Sequence, residues 1–208
     1  MKTLTIDCAT EGCSTALFDG DDLLAGEFRM LGRGHAEQLV PMIAALPGRG
    51  RADRICVSLG PGSFTGVRIG LAAARALGLA WKVPVSGYPT LALVAAIARA
   101  DAASLAQPVA VCVTGGHGEW FLQDFSADGL PEGPLESLRP DAAAVRSSHT
   151  LVAGTQAEPL VAARGPGTAL PLWPDARRFP LLPPSLLTSA LTPLYGRAPD
   201  AKLPGVPA

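Results

Sequence analysis

A glycine-rich stretch between a strand pattern and a long helix pattern constrains this chain more than any other feature. Residues 54–59 form a short apolar run, and residues 60–70 follow as Gly-Pro-Gly-Ser-Phe-Thr-Gly-Val-Arg-Ile-Gly. A helix pattern continues to about residue 81, where Lys-Val-Pro closes it. A strand, a tight glycine turn and a helix in succession are typical of an α/β protein, because the turn returns the helix to the face of the sheet.

The residues around this unit predict a complete α/β lobe. Residues 2–7, 13–19 and 22–31 have strand patterns, and an Asp-Gly-Asp turn between the last two favours a hairpin. A helix pattern covers 35–46, and a strand at 83–87 and a helix at 89–100 come after the long helix. The predicted order over residues 1–104 is therefore β-β-β-α-β-α-β-α.

A second, smaller lobe is predicted over residues 105–208, with the boundary near 102–108. Strand patterns restart near 109–114 and 119–126. Of the 20 prolines, 14 lie at or after Pro131, which predicts short, irregular elements. The C-terminal segment is a candidate for packing back on the first lobe.

Charge and hydropathy exclude some classes of function. The formal net charge is −1, which argues against a protein that grips nucleic acid through a broad basic face. Five arginines between residues 29 and 54 leave a local basic patch open. No apolar run is long enough to span a bilayer, and Asp7 interrupts the region where a signal peptide is apolar. We therefore expect a cytoplasmic protein without membrane association.

Reactive side chains form no catalytic or metal-binding pattern. The four cysteines have no Cys-x-x-Cys spacing, so thiol redox chemistry and zinc binding are not indicated. The three histidines form no His-x-x-x-His pair, and no serine has the Gly-x-Ser-x-Gly context. We therefore predict no catalytic residue and no metal ligand.

Two turns allow a phosphate-binding interpretation and an ordinary structural one. Asp7 ends the first strand, and the turn containing Thr10 follows it. Gly60, Gly62 and Ser63 precede the long helix, whose N-terminus could attract an anion. The alternative is that these residues form tight turns, with Ser63 or Thr65 as the helix N-cap.

The long helix has too little polar surface for an ordinary surface helix. Gly70, Ala74 and Gly78 form a ridge of small residues, while Arg68, Arg75 and Lys82 recur every seven residues. Either the helix is buried in the lobe, or one side packs on the sheet and another on a partner. The pattern leaves both possibilities open.

Residues 5–14, 33–41, 60–80 and 193–204 together resemble the TsaB (YeaZ) family of bacterial accessory proteins for tRNA threonylcarbamoyladenosine biosynthesis. The resemblance implies the actin-like/Hsp70-like (ASKHA) fold, with two lobes that each have a β-β-β-α-β-α core. It also implies a pairing surface on helices 35–46 and 65–81. The residues expected there are Leu39, Val40, Ile43, Val67, Arg68, Gly70, Leu71, Ala74, Arg75 and Gly78.

The family resemblance implies a non-catalytic role in a complex. The expected partners are a catalytic, metal-containing TsaD-like homologue, which transfers a threonylcarbamoyl group to the adenosine beside the anticodon, and a TsaE-like ATPase. Transfer RNA would be reached only through the complex, and a homodimer is a further option. The chain would carry no cofactor, with ATP and metal held by the partner subunits. The region of Asp7, Thr10, Gly60, Gly62 and Ser63 would be a vestigial nucleotide site.

Two features depart from the family pattern, and two rival functions stay open. The linker from Pro47 to Arg54 is shorter than is usual in the family, and the second lobe is trimmed. Residues 114–121 read Thr-Gly-Gly-His-Gly-Glu-Trp-Phe, where the family often has Asp-Ala-Arg before Gly-Glu-Val-Tyr. One rival is an actin-fold ATPase or kinase that uses Asp7 and the 60–66 loop. The other is a metallopeptidase, against which the missing His-x-x-x-His pair counts.

Overall fold

The first lobe is built on a five-stranded mixed sheet. The computed structural model describes residues 1–101 and 107–196. The sheet has the order β3-β2-β1-β4-β5, from β1 (Lys2–Asp7), β2 (Gly12–Asp19), β3 (Asp22–Met30), β4 (Arg54–Ser58) and β5 (Val85–Tyr88). Strands β1, β2 and β3 form an antiparallel meander, while β4 and β5 extend the sheet in parallel from β1.

Three helices cover this sheet and confirm the predicted order of the first lobe. They are α1 (His35–Ala45), α2 (Phe64–Trp81) and α3 (Thr90–Asp101). Helices α1 and α2 pack on one face, where Leu4, Ile6 and Val57 belong to their shared core. Helix α3 packs with Phe18, Cys56 and Tyr88. The sheet is therefore buried on both faces, which explains the nearly continuous apolar run of β4.

The second lobe repeats the connectivity of the first. Its sheet has the order β10-β9-β6-β7-β8. The strands are β6 (Val109–Gly116), β7 (Glu119–Phe125), β8 (Glu136–Leu138), β9 (Leu151–Ala153) and β10 (Thr168–Leu170), with helices α4 (Pro140–Arg146) and α5 (Ala157–Arg164). Strands β6, β7 and β8 are antiparallel, whereas β9 and β10 follow in parallel. The elements are short, as the prolines predict, but their arrangement is regular. The predicted boundary between residues 104 and 105 lies outside the described residues.

Helix α3 joins the two lobes. All nine residues from Thr90 to Ala98 are buried. They share one apolar core with Phe18 and Tyr88 of the first sheet and with Val109, Val111 and Val113 of the second. The sequence assigns this helix to the first lobe, whereas the structure places it between the sheets, where it serves both.

The C-terminal segment crosses the first lobe. Two 3₁₀ turns at 176–181 and 184–186 precede it. The backbones of Thr188 and Gly87 exchange hydrogen bonds of 2.7 and 3.0 Å, and the Leu194 N–H donates to the Leu59 carbonyl at 2.7 Å. These bonds hold residues 188–194 against β5 and the end of β4.

Among the described residues, no helix is both long and apolar enough to cross a membrane.

The small-residue ridge of α2 faces the lobe's own core. Gly70, Ala74 and Gly78 are buried. A side chain at Gly78 would overlap Val85, and one at Gly70 would contact Ile6 and Cys8. The prediction that this ridge provides an external surface is therefore wrong, because α2 needs small residues there to approach the sheet closely.

Ala74→Glu is therefore expected to unfold the first lobe. Ala74 is 0% exposed, and a carboxylate there would be desolvated without a partner, at a cost of roughly 3–5 kcal/mol. The exposed Ala76 on the same helix offers a matched control, since Ala76→Glu should change stability by within about 0.5 kcal/mol. Urea unfolding followed by circular dichroism measures both variants. Equal stabilities would contradict the inward orientation of Ala74.

Candidate functional site

A cleft of about 760 Å³ lies where loops of both lobes meet. The first lobe contributes the β1–β2 turn, with Thr10 and Glu11, and the loop before α2, with Gly62 and Ser63. The second lobe contributes the β6–β7 turn and Thr155, and the C-terminal segment contributes residues 194–196. The cleft is therefore lined by equivalent loops of two similarly connected sheets, at the kind of position where α/β proteins bind ligands.

Close backbone packing explains the glycines of the 60–66 loop. A side chain at Gly62 would overlap the Ala9 carbonyl, and one at Gly66 would overlap the Cys8 carbonyl. The Ser63 N–H donates to the Ala9 carbonyl at 2.7 Å, and the Ser63 hydroxyl caps α2 by accepting from the Gly66 N–H at 3.2 Å. The geometry supports the structural interpretation of this loop, with Ser63 rather than Thr65 as the N-cap.

His35 fixes the other side of the β1–β2 turn. Its imidazole is buried, with Nε2 2.9 Å from the Thr10 carbonyl oxygen and 3.3 Å from the Gly12 carbonyl oxygen. The Thr10 hydroxyl accepts from the Gly12 N–H at 3.2 Å. The turn is therefore held from α1 and from the 60–66 loop. The sequence places His35 only at a helix start and gives no signal of this contact.

Asp7 lies beneath the cleft rather than in it. Its side chain is 0% exposed and is absent from the cleft lining. One carboxylate oxygen accepts the Ala9 N–H at 2.9 Å, and the other accepts the Tyr88 hydroxyl at 3.2 Å. Burial raises the pKa of Asp7 to about 7, because desolvation disfavours the charged form.

The acid that the kinase interpretation assigns to the cleft is not exposed there. Glu11 is the one acid in the described lining, while Asp7 is covered by Tyr88. Of the predicted phosphate region, Thr10, Gly62 and Ser63 line the cleft, whereas Asp7 and Gly60 do not. Within residues 1–101 and 107–196, no group of three or more His, Cys, Asp or Glu side chains is placed to hold a metal ion. The predicted phosphate region is therefore divided between the cleft wall and the core below it.

An aromatic cluster stands at the rim of the cleft. The Arg68 guanidinium lies 3.5 Å from the centre of the Phe64 ring and donates to the Tyr195 hydroxyl at 3.0 Å. Further along α2, Arg75 donates to the Leu191 carbonyl at 2.7 Å. Both predicted interface arginines thus hold the C-terminal segment on the first lobe.

The segment that departs from the family pattern forms the opposite wall of the cleft. Residues 114–117 lie at the β6–β7 turn, where the Thr114 N–H donates to the Thr155 hydroxyl at 3.1 Å. Gln156 donates to the Thr114 hydroxyl at 2.9 Å. The glycines and hydroxyl groups therefore contribute a polar, internally bonded surface to this wall.

The outer face of α1 and α2 is a second candidate site, away from the cleft. It comprises the exposed small and apolar residues Val40, Ala44, Ala72, Ala76 and Leu79. The two helices pack side by side, and their inner faces cover the sheet. Val40 is 62% exposed and Leu79 is 83% exposed. Exposed apolar side chains on two neighbouring helices are typical of an interaction surface.

The structure separates the predicted interface residues into two groups. Val40, Arg68 and Arg75 are exposed. The others are buried in the lobe and support the surface from below: Leu39, Ile43, Val67, Gly70, Leu71, Ala74 and Gly78. Sequence periodicity identifies both helices but does not give their rotation. It therefore misses Ala72, Ala76 and Leu79, which take the outward positions of α2.

Comparison with known proteins gives consistent matches. Residues 29–129 match the family model described as "TsaD: tRNA N6-adenosine threonylcarbamoyltransferase". The chain is 38% identical over 96 residues to the tRNA threonylcarbamoyladenosine biosynthesis protein TsaB of Escherichia coli, covering 44% of this chain and 41% of that protein. It is 32% identical over 114 residues to the tRNA N6-adenosine threonylcarbamoyltransferase of Corynebacterium diphtheriae, covering 53% and 32%. The chain thus spans less than half the length of these curated relatives.

The solved structure of YeaZ from Pseudomonas aeruginosa extends the likeness to both lobes. It has a TM-score of 0.71 and 28% identity, with 85% of this chain and 87% of that chain covered. Two lobes with the same sheet connectivity around a common cleft define a protein of the actin-like class. Within that class, the chain is similar to the TsaB (YeaZ) proteins.

The buried Asp7 predicts a specific dependence of stability on pH. Its pKa is about 7 in the folded state against an ordinary value of 3.8, so the folded state binds a proton more tightly than the unfolded state. The contribution of Asp7 to the free energy of unfolding therefore falls as pH rises from about 4 to about 7. Asp7→Asn keeps the shape of the side chain but removes the titrating carboxyl group, and with it this dependence on pH. Between about pH 4 and about pH 7, the free energy of unfolding of the variant should therefore rise by on the order of 4 kcal/mol relative to that of wild type.

Urea unfolding at a series of pH values measures this difference. The exposed Asp21 supplies a control, because Asp21→Asn should run parallel to wild type. A constant difference between Asp7→Asn and wild type would show that Asp7 titrates normally in the folded chain.

Proposed function

We propose that this protein is a non-catalytic accessory subunit in the biosynthesis of tRNA threonylcarbamoyladenosine. It would act by binding a catalytic TsaD-like transferase through the outer face of α1 and α2. The observation that carries the proposal is this exposed apolar surface on two helices whose inner faces already cover the sheet. The names of the TsaB and transferase relatives point to the pathway, the biosynthesis of tRNA threonylcarbamoyladenosine.

The cleft supports an accessory role rather than catalysis. Its one acid is Glu11 within the described lining, and Asp7 is held in the core by Ala9 and Tyr88. The rival kinase or ATPase function assigns this role to Asp7, whose carboxylate would have to reach the cleft surface to hold a magnesium-bound phosphate. The rival ATPase or kinase function is therefore disfavoured by the position of Asp7. In the proposed complex, ATP and metal belong to the partner subunits, among them a TsaE-like ATPase.

The partner surface is suited to packing of helix on helix. Val40 and Leu79 supply exposed apolar area, while Ala44, Ala72 and Ala76 allow a close approach. Two helices from this chain and two from a similarly folded partner would form a four-helix contact. A second copy of this chain could use the same surface, which would give an isologous homodimer. With a formal net charge of −1, the chain would reach tRNA through the complex rather than alone.

A modification assay tests the role. Purified TsaD-like transferase, the ATPase subunit, substrates and unmodified tRNA are combined with and without this chain. We expect strong stimulation of threonylcarbamoyl transfer by the chain and no transfer by the chain alone. Equal transfer in both arms would show that the accessory role is wrong.

Val40→Glu should weaken association without unfolding the lobe. Val40 is exposed, so the folded chain tolerates a carboxylate there, but a partner helix would desolvate the charge without pairing it. We expect a loss of more than about tenfold in affinity for the transferase by sedimentation or calorimetry. The control is Val145→Glu, the same change at a 90% exposed position on α4, which should bind normally.

Circular dichroism must show both variants folded. Wild-type affinity in a folded Val40→Glu chain would place the partner surface elsewhere.

A further inference from the structure

Strand register brings two cysteines that are five residues apart into contact in the core. The Cys8 and Cys13 sulfur atoms are 3.6 Å apart. Asp7 pairs with Ser14 in the β1–β2 register, so Cys8 and Cys13 lie one position further along the same antiparallel pairing. The spacing gives no sign of this contact, because it arises from the hairpin and not from a Cys-x-x-Cys helix turn.

The backbone geometry of this position is compatible with a covalent bond. Directly opposed residues of antiparallel strands have Cα atoms about 4.5–5.5 Å apart. That interval lies within the roughly 4.4–6.8 Å that disulfides span. The two sulfur atoms must approach to about 2.05 Å, which side-chain rotation can provide. Cys56 and Cys112 are also buried free thiols, but no sulfur–sulfur contact joins them in the described structure.

We propose that Cys8 and Cys13 are a modification site: a dithiol that hydroperoxides oxidise reversibly to an intramolecular disulfide. The pair lies beneath the start of α2, where Gly66 packs on the Cys8 carbonyl and Gly70 on the Cys8 side chain. The bond would close the β1–β2 turn whose residues Ala9, Thr10 and Glu11 line the cleft. Oxidation would therefore fix one wall of the cleft. The proposal does not depend on the proposed accessory role.

The two sulfur atoms have different parts in the reaction. A hydrogen bond joins the two thiols, and it lowers the pKa of Cys13 while it raises the pKa of Cys8. The Cys13 thiolate attacks one peroxide oxygen, which breaks the O–O bond, forms a sulfenic acid and releases hydroxide. Cys8 sulfur then attacks Cys13 sulfur and expels the second hydroxide. The two thiol protons convert both hydroxides to water, and two electrons pass from the sulfur atoms to the peroxide.

Burial restricts the oxidant to a small molecule. Both thiols are 0% exposed, so hydrogen peroxide must enter by local opening of the turn, and a bulky aromatic disulfide reagent should react far more slowly. Cys56 and Cys112 supply internal controls within the same chain. Burial raises the pKa of Cys56 to about 11 and that of Cys112 to about 12, so both should stay reduced.

The experiment treats the folded full-length chain with hydrogen peroxide, unfolds it and tags the remaining thiols with N-ethylmaleimide. Trypsin then gives a peptide of residues 3–29 that contains Cys8 and Cys13 and no other cysteine. We expect this peptide to carry no tag and to have a mass two hydrogen atoms below that of the reduced, untagged peptide, because a disulfide joins its two cysteines. Cys56 and Cys112 should both be tagged. Dithiothreitol should restore all four tags.

Single variants separate the two roles. In Cys8→Ser, Cys13 should stop at the sulfenic acid, which a dimedone probe captures. In Cys13→Ser, Cys8 should be at least tenfold less reactive. Circular dichroism must show both variants folded; if either is not, the wild-type peptide measurement decides alone.

Three outcomes would overturn the proposal. They are full tagging of the 3–29 peptide after peroxide, oxidation of all four cysteines at similar rates, and disulfides that link separate chains. The same treatment in urea is the remaining check. In urea, the preference for oxidation of Cys8 and Cys13 over Cys56 and Cys112 should fall, because unfolding makes the latter two accessible. Unchanged selectivity would assign the reaction to chain proximity and not to the fold.

Discussion

Burial of α3 between two sheets is the interaction on which the rest of this structure depends. Its residues from Thr90 to Ala98 belong to a core that includes Phe18 and Tyr88 on one side and Val109, Val111 and Val113 on the other. Because one helix completes the cores of both lobes, the lobes are fixed around a common cleft. The outer helices then cover the remaining faces, α1 and α2 on the first sheet and α4 and α5 on the second.

This arrangement buries Asp7 and leaves small and apolar residues exposed on the outer helices. The glycines at 62 and 66 let the loop before α2 lie directly on the β1–β2 turn, and the turn is held by His35 from the other side. Tight packing there leaves Asp7 in the core, bonded to Tyr88, where it cannot meet a ligand in the cleft. What the first lobe does present to solvent is an uncharged stripe on two helices, which suits a protein partner.

The sequence predicts the first lobe well and the second lobe poorly, for a physical reason. Strands β1 to β4 and helices α1 to α3 are long enough to show their periodicity. Strands β8, β9 and β10 have three residues each, too few for an alternation to be visible between prolines. Helices α1 and α2 could likewise be predicted. Their rotation could not, because α2 is apolar or small around most of its circumference and only contact with β1, β4 and β5 selects the inward side.

By itself, the sequence determined the order of elements in the first lobe, the ridge of small residues at Gly70, Ala74 and Gly78, and the family resemblance. These are local properties, set by the spacing of apolar and small residues along the chain. Only the tertiary structure decided that Arg68 and Arg75 hold the C-terminal segment, that Tyr88 covers Asp7, and that Cys8 meets Cys13. Each of these contacts joins positions on different elements, so strand register and helix rotation, which depend on the packed core as a whole, had to be fixed first.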